Sequence, residues 1–267
     1  MMAKRNRGLT KEAIQKRWKA GHGQGEREGY KPWLTIQSVP SQGQVNRPLG
    51  WKTGRVHHLM SLNELHYFYL LEWSSLVTDI REQFPLWPAE ETEEIARSLN
   101  IRHPSPPGGG TMVMSSDFRI TLSSGQDVVR TMKEGSALND DRTIEKLDIE
   151  REYWSRRGVN WGVVVAEDLP MPLVQNVKWL HSHSTLDGFG FDANDLPALM
   201  RYLTAEVLTS TDALAIVARR CDEDLTLKPG SCLTLARHLI ATRQWQVDLC
   251  VPINPSRRLI LQRAQDE

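Results

Sequence analysis

Apolar residues along this chain change their spacing repeatedly, and each change marks an element. From Ser61 onward, Leu62, Leu65, Phe68, Tyr69 and Leu71 recur at short helical intervals, the period of a helix with one inward face. Val77 to Phe84 reads as a strand closed by Pro85 and Pro88, since proline cannot donate to a sheet ladder. Glu90 to Leu99 is an acidic helix, and Pro104 to Gly110 is rich enough in Pro and Gly to be a loop. Phe118, Ile120 and Leu122 then alternate with Asp117, Arg119 and Thr121, as a half-buried strand requires. Turn residues Ser123-Ser124-Gly125-Gln126 follow, and Asp127 to Lys133 returns as a second strand. With a three-residue loop and Ser123 facing Asp127, Asp117 is expected opposite Lys133, and opposite residues point to one side of a sheet. A helix from about Asp140 to Arg157, ended by Gly158, leads into the apolar run Trp161 to Ala166, expected as a strand covered on both faces.

This order predicts an α/β domain over residues 1–168, a mixed sheet flanked by helices, preceded by a short basic helix from Thr10 to Lys19 with Thr10 as its cap. After Pro170-Met171-Pro172 the texture changes, and residues 169–267 are expected to form a second domain. Three helices are predicted there, at Asp195–Val207, Ser210–Cys221 and Cys232–Arg243, with Ser231 capping the third. Two short strands, Trp245–Val251 and Leu259–Leu261, would add a ribbon. That is the plan of a small winged-helix-like α+β domain, although a generic α+β domain fits the same pattern.

Composition narrows the class. The chain has 267 residues, 40% hydrophobic and 25% charged, as in ordinary globular proteins. No apolar stretch approaches the ~20 residues of a membrane helix, and the basic start lacks the apolar core of a signal peptide, so a cytoplasmic protein is expected. Cys221, Cys232 and Cys250 are odd in number and widely spaced, which suits reduced thiols better than disulfides or zinc. Net charge is zero, but residues 1–58 hold 12 Lys/Arg against 3 Asp/Glu. Arg5, Arg7, Lys16, Arg17 and Lys19 in this arm suit phosphate contacts; a solvated, unengaged arm has the same composition.

Asp117, Thr131 and Lys133 share one strand face, and Glu64 lies on the helix before them. Hard cations such as Mg²⁺ are held by a few carboxylates, and a lysine beside them can orient a water or stabilise a negative transition state. Each residue has a plainer role open to it. Ser61-Leu62-Asn63-Glu64 is a capping box; Asp117, Thr131 and Lys133 would also serve as ordinary strand residues. His57-His58 and the pair His181 and His183 read as surface or structural histidines for want of a third ligand.

Longer motifs then become decisive. Pro32-Trp33-Leu34-Thr35, Trp51 to Leu59 (WKTGRVHHL), Leu65 through Trp73, Asp79 to Leu86 (DIREQFPL), Met114 to Phe118 and Asp141 to Leu147 (DRTIEKL) closely resemble, in the same order, the TnsA family. These are the restriction-endonuclease-like subunits of heteromeric bacterial cut-and-paste transposases. The resemblance spans roughly residues 20–165 and fades beyond. It implies a restriction-endonuclease-like fold and Mg²⁺-dependent (Mn²⁺ may substitute) cleavage of DNA at the 5′ ends of a transposon. It also implies a DDE-type transposase subunit as partner for the 3′ ends, and an AAA+ regulator docking on the C-terminal domain. Carried over by position, the metal-binding acids fall on Glu64 and Asp117, the catalytic lysine on Lys133, and a backbone carbonyl ligand on Met132.

One departure stands out. Where such sites carry Glu, Asp or Gln two residues before the lysine, this chain has Thr131, a weak ligand at best, and a second acidic position on the first helix is Ser74. One cation is therefore expected to bind well, with a second depending on DNA phosphate oxygens. A non-catalytic DNA-binding or adaptor subunit, and a stand-alone restriction-like nuclease, are the competing readings.

Overall fold

The computed structural model describes residues 10–37, 45–105 and 110–262; Arg5, Arg7 and the stretch 106–109 of the Pro/Gly segment lie outside them. Two compact units divide the chain, Met1–Leu169 and Pro170–Glu267.

The first unit is built on a four-stranded mixed sheet ordered β1-β2-β3-β4. β1 (Val77–Pro85), β2 (Ser115–Leu122) and β3 (Asp127–Lys133) run antiparallel in sequence, and β4 (Asn160–Val165) joins β3 in parallel. Helices α3 (Ala89–Ser98) and α4 (Asp141–Ser155) supply one core cluster with the sheet: Leu86, Ile95, Met114, Val129, Ile149 and Trp154. Burying side chains of this size contributes roughly 1.5–3 kcal/mol each. On α2 (Leu62–Trp73), Tyr67 meets Phe118 edge-on and Phe68 packs on His57. α1 (Lys11–Lys19) starts at Thr10, whose hydroxyl accepts from Ala13 N, and is anchored by Trp18 stacked on Trp87 at 4.4 Å.

The predicted register of the hairpin is wrong by two residues. Thr121 pairs with Asp127 and Phe118 with Arg130, so Asp117 does not face Lys133. The cause is local. Ser123 N is drawn to Leu76 O on the β1 side, and the Asp127 carboxylate is gripped by Thr121, Arg81 and Arg119. A shift of two by itself keeps every side chain on its face; Asp117, beyond the last regular pair Phe118–Arg130, is linked to Lys133 through the backbone of Met132. A second difference concerns β4. It lies at the sheet edge and its apolar residues are half-buried, not covered on both faces.

The second unit contains α5 (Met171–Leu180), α6 (Leu196–Thr209), α7 (Leu214–Asp224) and α8 (Ser231–Ala241). α5 is unforeseen because Pro-Met-Pro reads as a break, yet Pro172 falls in the first helical turn, where no N–H is needed. Ser231 is not a cap but the first helical residue; Gly230 precedes it at φ +91. Asp222 of α7 does the capping, accepting from Gly230 N and Cys232 N at 2.7 Å each. The expected ribbon is absent among the described residues: 245–262 contain no strand. Asp248 and Asn254 fold their side chains onto Cys250 N and Ser256 N, and Pro252 and Pro255 withhold donors, so turns replace the ladder. The helices of the winged-helix plan form; its wing does not. Cys221, Cys232 and Cys250 are free thiols. Among the described residues, no helix is long and apolar enough to cross a membrane.

Candidate functional site

Glu64 stands in the first turn of α2 and is committed backward as the capping box predicts. Ser61 Oγ accepts from Glu64 N at 3.1 Å, while the Glu64 carboxylate accepts from Ser61 Oγ at 3.0 Å and Met60 N at 2.9 Å. A further donor comes from the sheet, Gln83 Nε2 at 3.2 Å. The side chain is buried, and burial together with the negative charge of Asp117 pushes its pKa up to about 8. Capping and electrostatic contact with Asp117 therefore coexist in one residue.

Asp117 sits where the pairing of β1 with β2 is interrupted. Its Oδ2 accepts from Met132 N at 2.7 Å. The carbonyl of Met132 accepts from Lys133 Nζ at 2.8 Å, so the backbone of one residue ties the acid to the amine. Burial raises the Asp117 carboxyl above its ordinary range, opposed by the Lys133 charge and the Met132 N–H. Glu64 thus lies in the field of Asp117, and Asp117 in that of Lys133. A cleft of about 610 Å³ opens over Asp117, Thr131, Lys133 and Glu150, and Glu64 is not among its lining residues.

Thr131 lines that cleft beside Asp117 and is engaged with α4. It is 3% exposed and its hydroxyl donates to Glu150 Oε1 at 2.5 Å. Glu150, on α4, is the acid that sequence reasoning missed. Ser116 Oγ donates to the same oxygen, and Trp154 Nε1 donates to Ser116 in turn. Burial raises the Glu150 carboxyl, hydrogen bonds from Ser116 and Thr131 pull it down, and the Asp117 charge pushes it up again. The signal was present: Glu150 shares the apolar stripe of Leu147 and Trp154, and a charge on an inward helix face needs a partner. His57 is no metal ligand in this arrangement; its Nδ1 meets Glu82 at 2.8 Å. His183 stacks on Phe189 in the second unit.

The donor set suits a hard divalent cation. Among the described residues no cluster of three His, Cys, Asp or Glu side chains comes together, so two carboxylates and a carbonyl are what this region offers. Asp117 Oδ1 takes no hydrogen bond among the described residues. Glu64 Oε1 takes one, from Ser61, and the Met132 oxygen takes one, from Lys133; each keeps a lone pair. Two buried acids, one of which lies in the raising field of the other, are short of positive charge, which a cation bound by oxygen would supply. Arg102, Arg142 and Lys146 line the same cleft. Arg142 pairs with Glu145, whereas Arg102 and Lys146 form no salt bridge among the described residues. In the N-terminal arm, Lys16 and Lys19 are exposed, but Arg17 lies over the Trp33 ring at 5.4 Å and is partly withdrawn from solvent.

Comparison with known proteins identifies the family. Residues 74–166 match the family described as TnsA-like endonuclease N terminal, and residues 168–249 match TnsA endonuclease C terminal. Asp117, Thr131, Lys133 and Glu150 fall inside the first match; Glu64 precedes it. The transposon Tn7 transposition protein TnsA of Escherichia coli is 43% identical over 186 residues, which cover 69% of this chain and 67% of that protein. A mixed sheet flanked by helices, motifs in family order and a relative this similar lead to one conclusion: this chain belongs to the TnsA endonuclease family.

Proposed function

We propose that this chain is the metal-dependent DNA endonuclease subunit of a transposase, hydrolysing phosphodiester bonds at the 5′ ends of a transposon during cut-and-paste transposition. The observation that carries this reading is the Glu64–Asp117 carboxylate pair beside Lys133, next to a cleft lined by Arg102, Arg142 and Lys146. Glu64, Asp117 and the Met132 carbonyl would hold Mg²⁺, with Mn²⁺ able to substitute. When bound, that ion supplies Lewis-acid charge to the attacked phosphate.

The chain's own residues do the rest. Lys133, held at the cleft by its bond to the Met132 carbonyl, orients the attacking water and offsets charge developing on the phosphate. Asp117 keeps its peptide partner and so fixes where that lysine stands. Thr131, donating to Glu150, holds α4 against β3 and is not a ligand in this reading. Arg102, Lys146 and the exposed Lys16 and Lys19 meet backbone phosphates, contacts that position the duplex without reading its sequence. The products would be a 5′-phosphate and a 3′-hydroxyl. Choice of ends would fall to a DDE-type transposase partner, and the second unit would receive an AAA+ regulator.

Reconstituted excision with strand-specific labelling tests the reading. Asp117→Ala should abolish 5′-strand cutting while 3′ cutting by the partner continues; unchanged 5′ cutting would leave only an adaptor role. Strong cleavage by the isolated chain would point to a stand-alone nuclease instead.

A further inference from the structure

The ladder of β1 with β2, whose register shifts between Val77 and Asp79, also skips one pair further along without a change of register. Glu82 faces Phe118 and Phe84 faces Ser116, with Gln83 and Asp117 skipped between them. Gln83 has φ +48, a left-handed conformation that residues with a Cβ rarely adopt. The result is a change of side. Before the break, Glu82 and Phe118 contact His57 and Tyr67; after it, Phe84 and Ser116 both reach Trp154 on α4. Irregularities of this kind re-aim side chains next to functional sites.

The Gln83 side chain uses the break. It is 4% exposed; Nε2 donates to Glu64 Oε2 at 3.2 Å and Oε1 accepts from Ser115 Oγ at 3.3 Å. Its carbonyl accepts from Trp33 N at 3.2 Å, so the kink is held from both ends. Once ionised beside a bound cation the Glu64 carboxylate only accepts, which fixes the amide with its nitrogen toward Glu64. No apolar or shorter side chain offers a donor to Glu64 and an acceptor to Ser115 at once. We propose that Gln83 is a positioning residue, which aims the Glu64 carboxylate at the divalent cation that Glu64 and Asp117 would share. This inference rests on the function proposed above.

Calorimetric titration of the metal-free full-length chain with Mn²⁺, paired with thermal unfolding, tests it on the wild type, Gln83→Leu, Gln83→Gly and Asp117→Asn. Loss of a group that orients a metal ligand typically weakens affinity by about 10–100-fold, and both Gln83 variants should show that loss. Glycine accepts positive φ without strain, which offsets part of the cost of deleting a buried, hydrogen-bonded side chain, so Gln83→Gly should lose far more Mn²⁺ affinity than stability. That divergence separates aiming from mere support. Gln83 variants that bind Mn²⁺ within about twofold of the wild type would overturn the inference and leave the proposed function standing. A glycine variant losing stability in step with affinity would also overturn it, making Gln83 purely structural. A wild type that binds no Mn²⁺, or an Asp117→Asn chain that binds it equally well, would remove the proposed metal site itself.

Discussion

Glu82→Gln is the substitution whose cost the structure defines best. The Glu82 carboxylate is wholly buried. It accepts from Arg55 Nη1 at 2.8 Å and Nη2 at 2.5 Å, His57 Nδ1 at 2.8 Å and His58 N at 3.0 Å. A glutamine amide keeps one acceptor oxygen and turns an NH₂ toward donors, leaving the Arg55 charge buried without its counterion. Breaking a buried pair from one side costs about 3–5 kcal/mol. Arg55 retains Ile80 O, Arg27 O and the Tyr30 ring face, so the lower end, ~3 kcal/mol, is expected. At about 2–4 °C per kcal/mol for a domain of this size, the transition of the first unit should fall by roughly 6–12 °C. Differential scanning calorimetry of the full chain reads this directly, and the second unit's transition should not move.

Acidity supplies an internal check. Burial alone would raise the Glu82 carboxyl, but the charge on His57 and the hydrogen bonds from Arg55 and His57 outweigh it and hold it well below its usual 4.5. A depressed carboxylate contributes its full stabilisation above about 4.5 and loses it as the pH falls toward the folded value. The deficit of Glu82→Gln should therefore be large at pH 7 and shrink by pH 3.5 in urea titrations. A loss under about 2 °C at pH 7, or a deficit that grows on acidification, would refute the reasoning.

Two further outcomes are expected. Gly23 has φ +78, and a Cβ there would stand 2.2 Å from Pro85 Cγ, so Gly23→Ala should cost about 1–3 kcal/mol; an unchanged urea midpoint would contradict this packing. In the second unit, burial first and then the charges of Arg237 and His238 push the His183 ring down to about 4. Its neutral form stabilises the fold fully above about 6.5, and that contribution drains away as the pH falls toward 4. His183→Phe should flatten the pH dependence of that unit's unfolding between pH 7 and 4.5; an unaltered slope would place the sensitivity elsewhere.

Periodicity carried much of this fold because periodic burial is what makes helices and strands in the first place. Leu65, Phe68 and Tyr69 mark α2, and Phe118 and Ile120 mark β2, since apolar spacing reports which face is covered. What escaped depends on contacts distant in sequence. The hairpin register is set by Arg81 and Arg119 clamping Asp127, and no count of loop residues contains that. WKTGRVHHL served as a family signature without a physical role; Arg55 and His57 turn out to be the partners of Glu82, 27 and 25 positions away. Glu150 falls on the apolar spacing of α4, and what it serves shows only in Ser116 and Thr131 donating to it. Parity predicted that Asp117 and Lys133 would meet; what links them is the backbone of Met132, which no pattern of side chains reports.

One carboxylate links the start of a helix to the chemistry beside it. Glu64 closes the first turn of α2 through Met60 and Ser61 and also lies in the field of Asp117. Under the proposed function, occupancy by an ion and the integrity of that turn would draw on the same two oxygens. Truncating this side chain would unravel the turn and silence the centre together, so inactivity at position 64 carries meaning only alongside a melting curve. A substitution at 117, which caps nothing, is the cleaner knock-out.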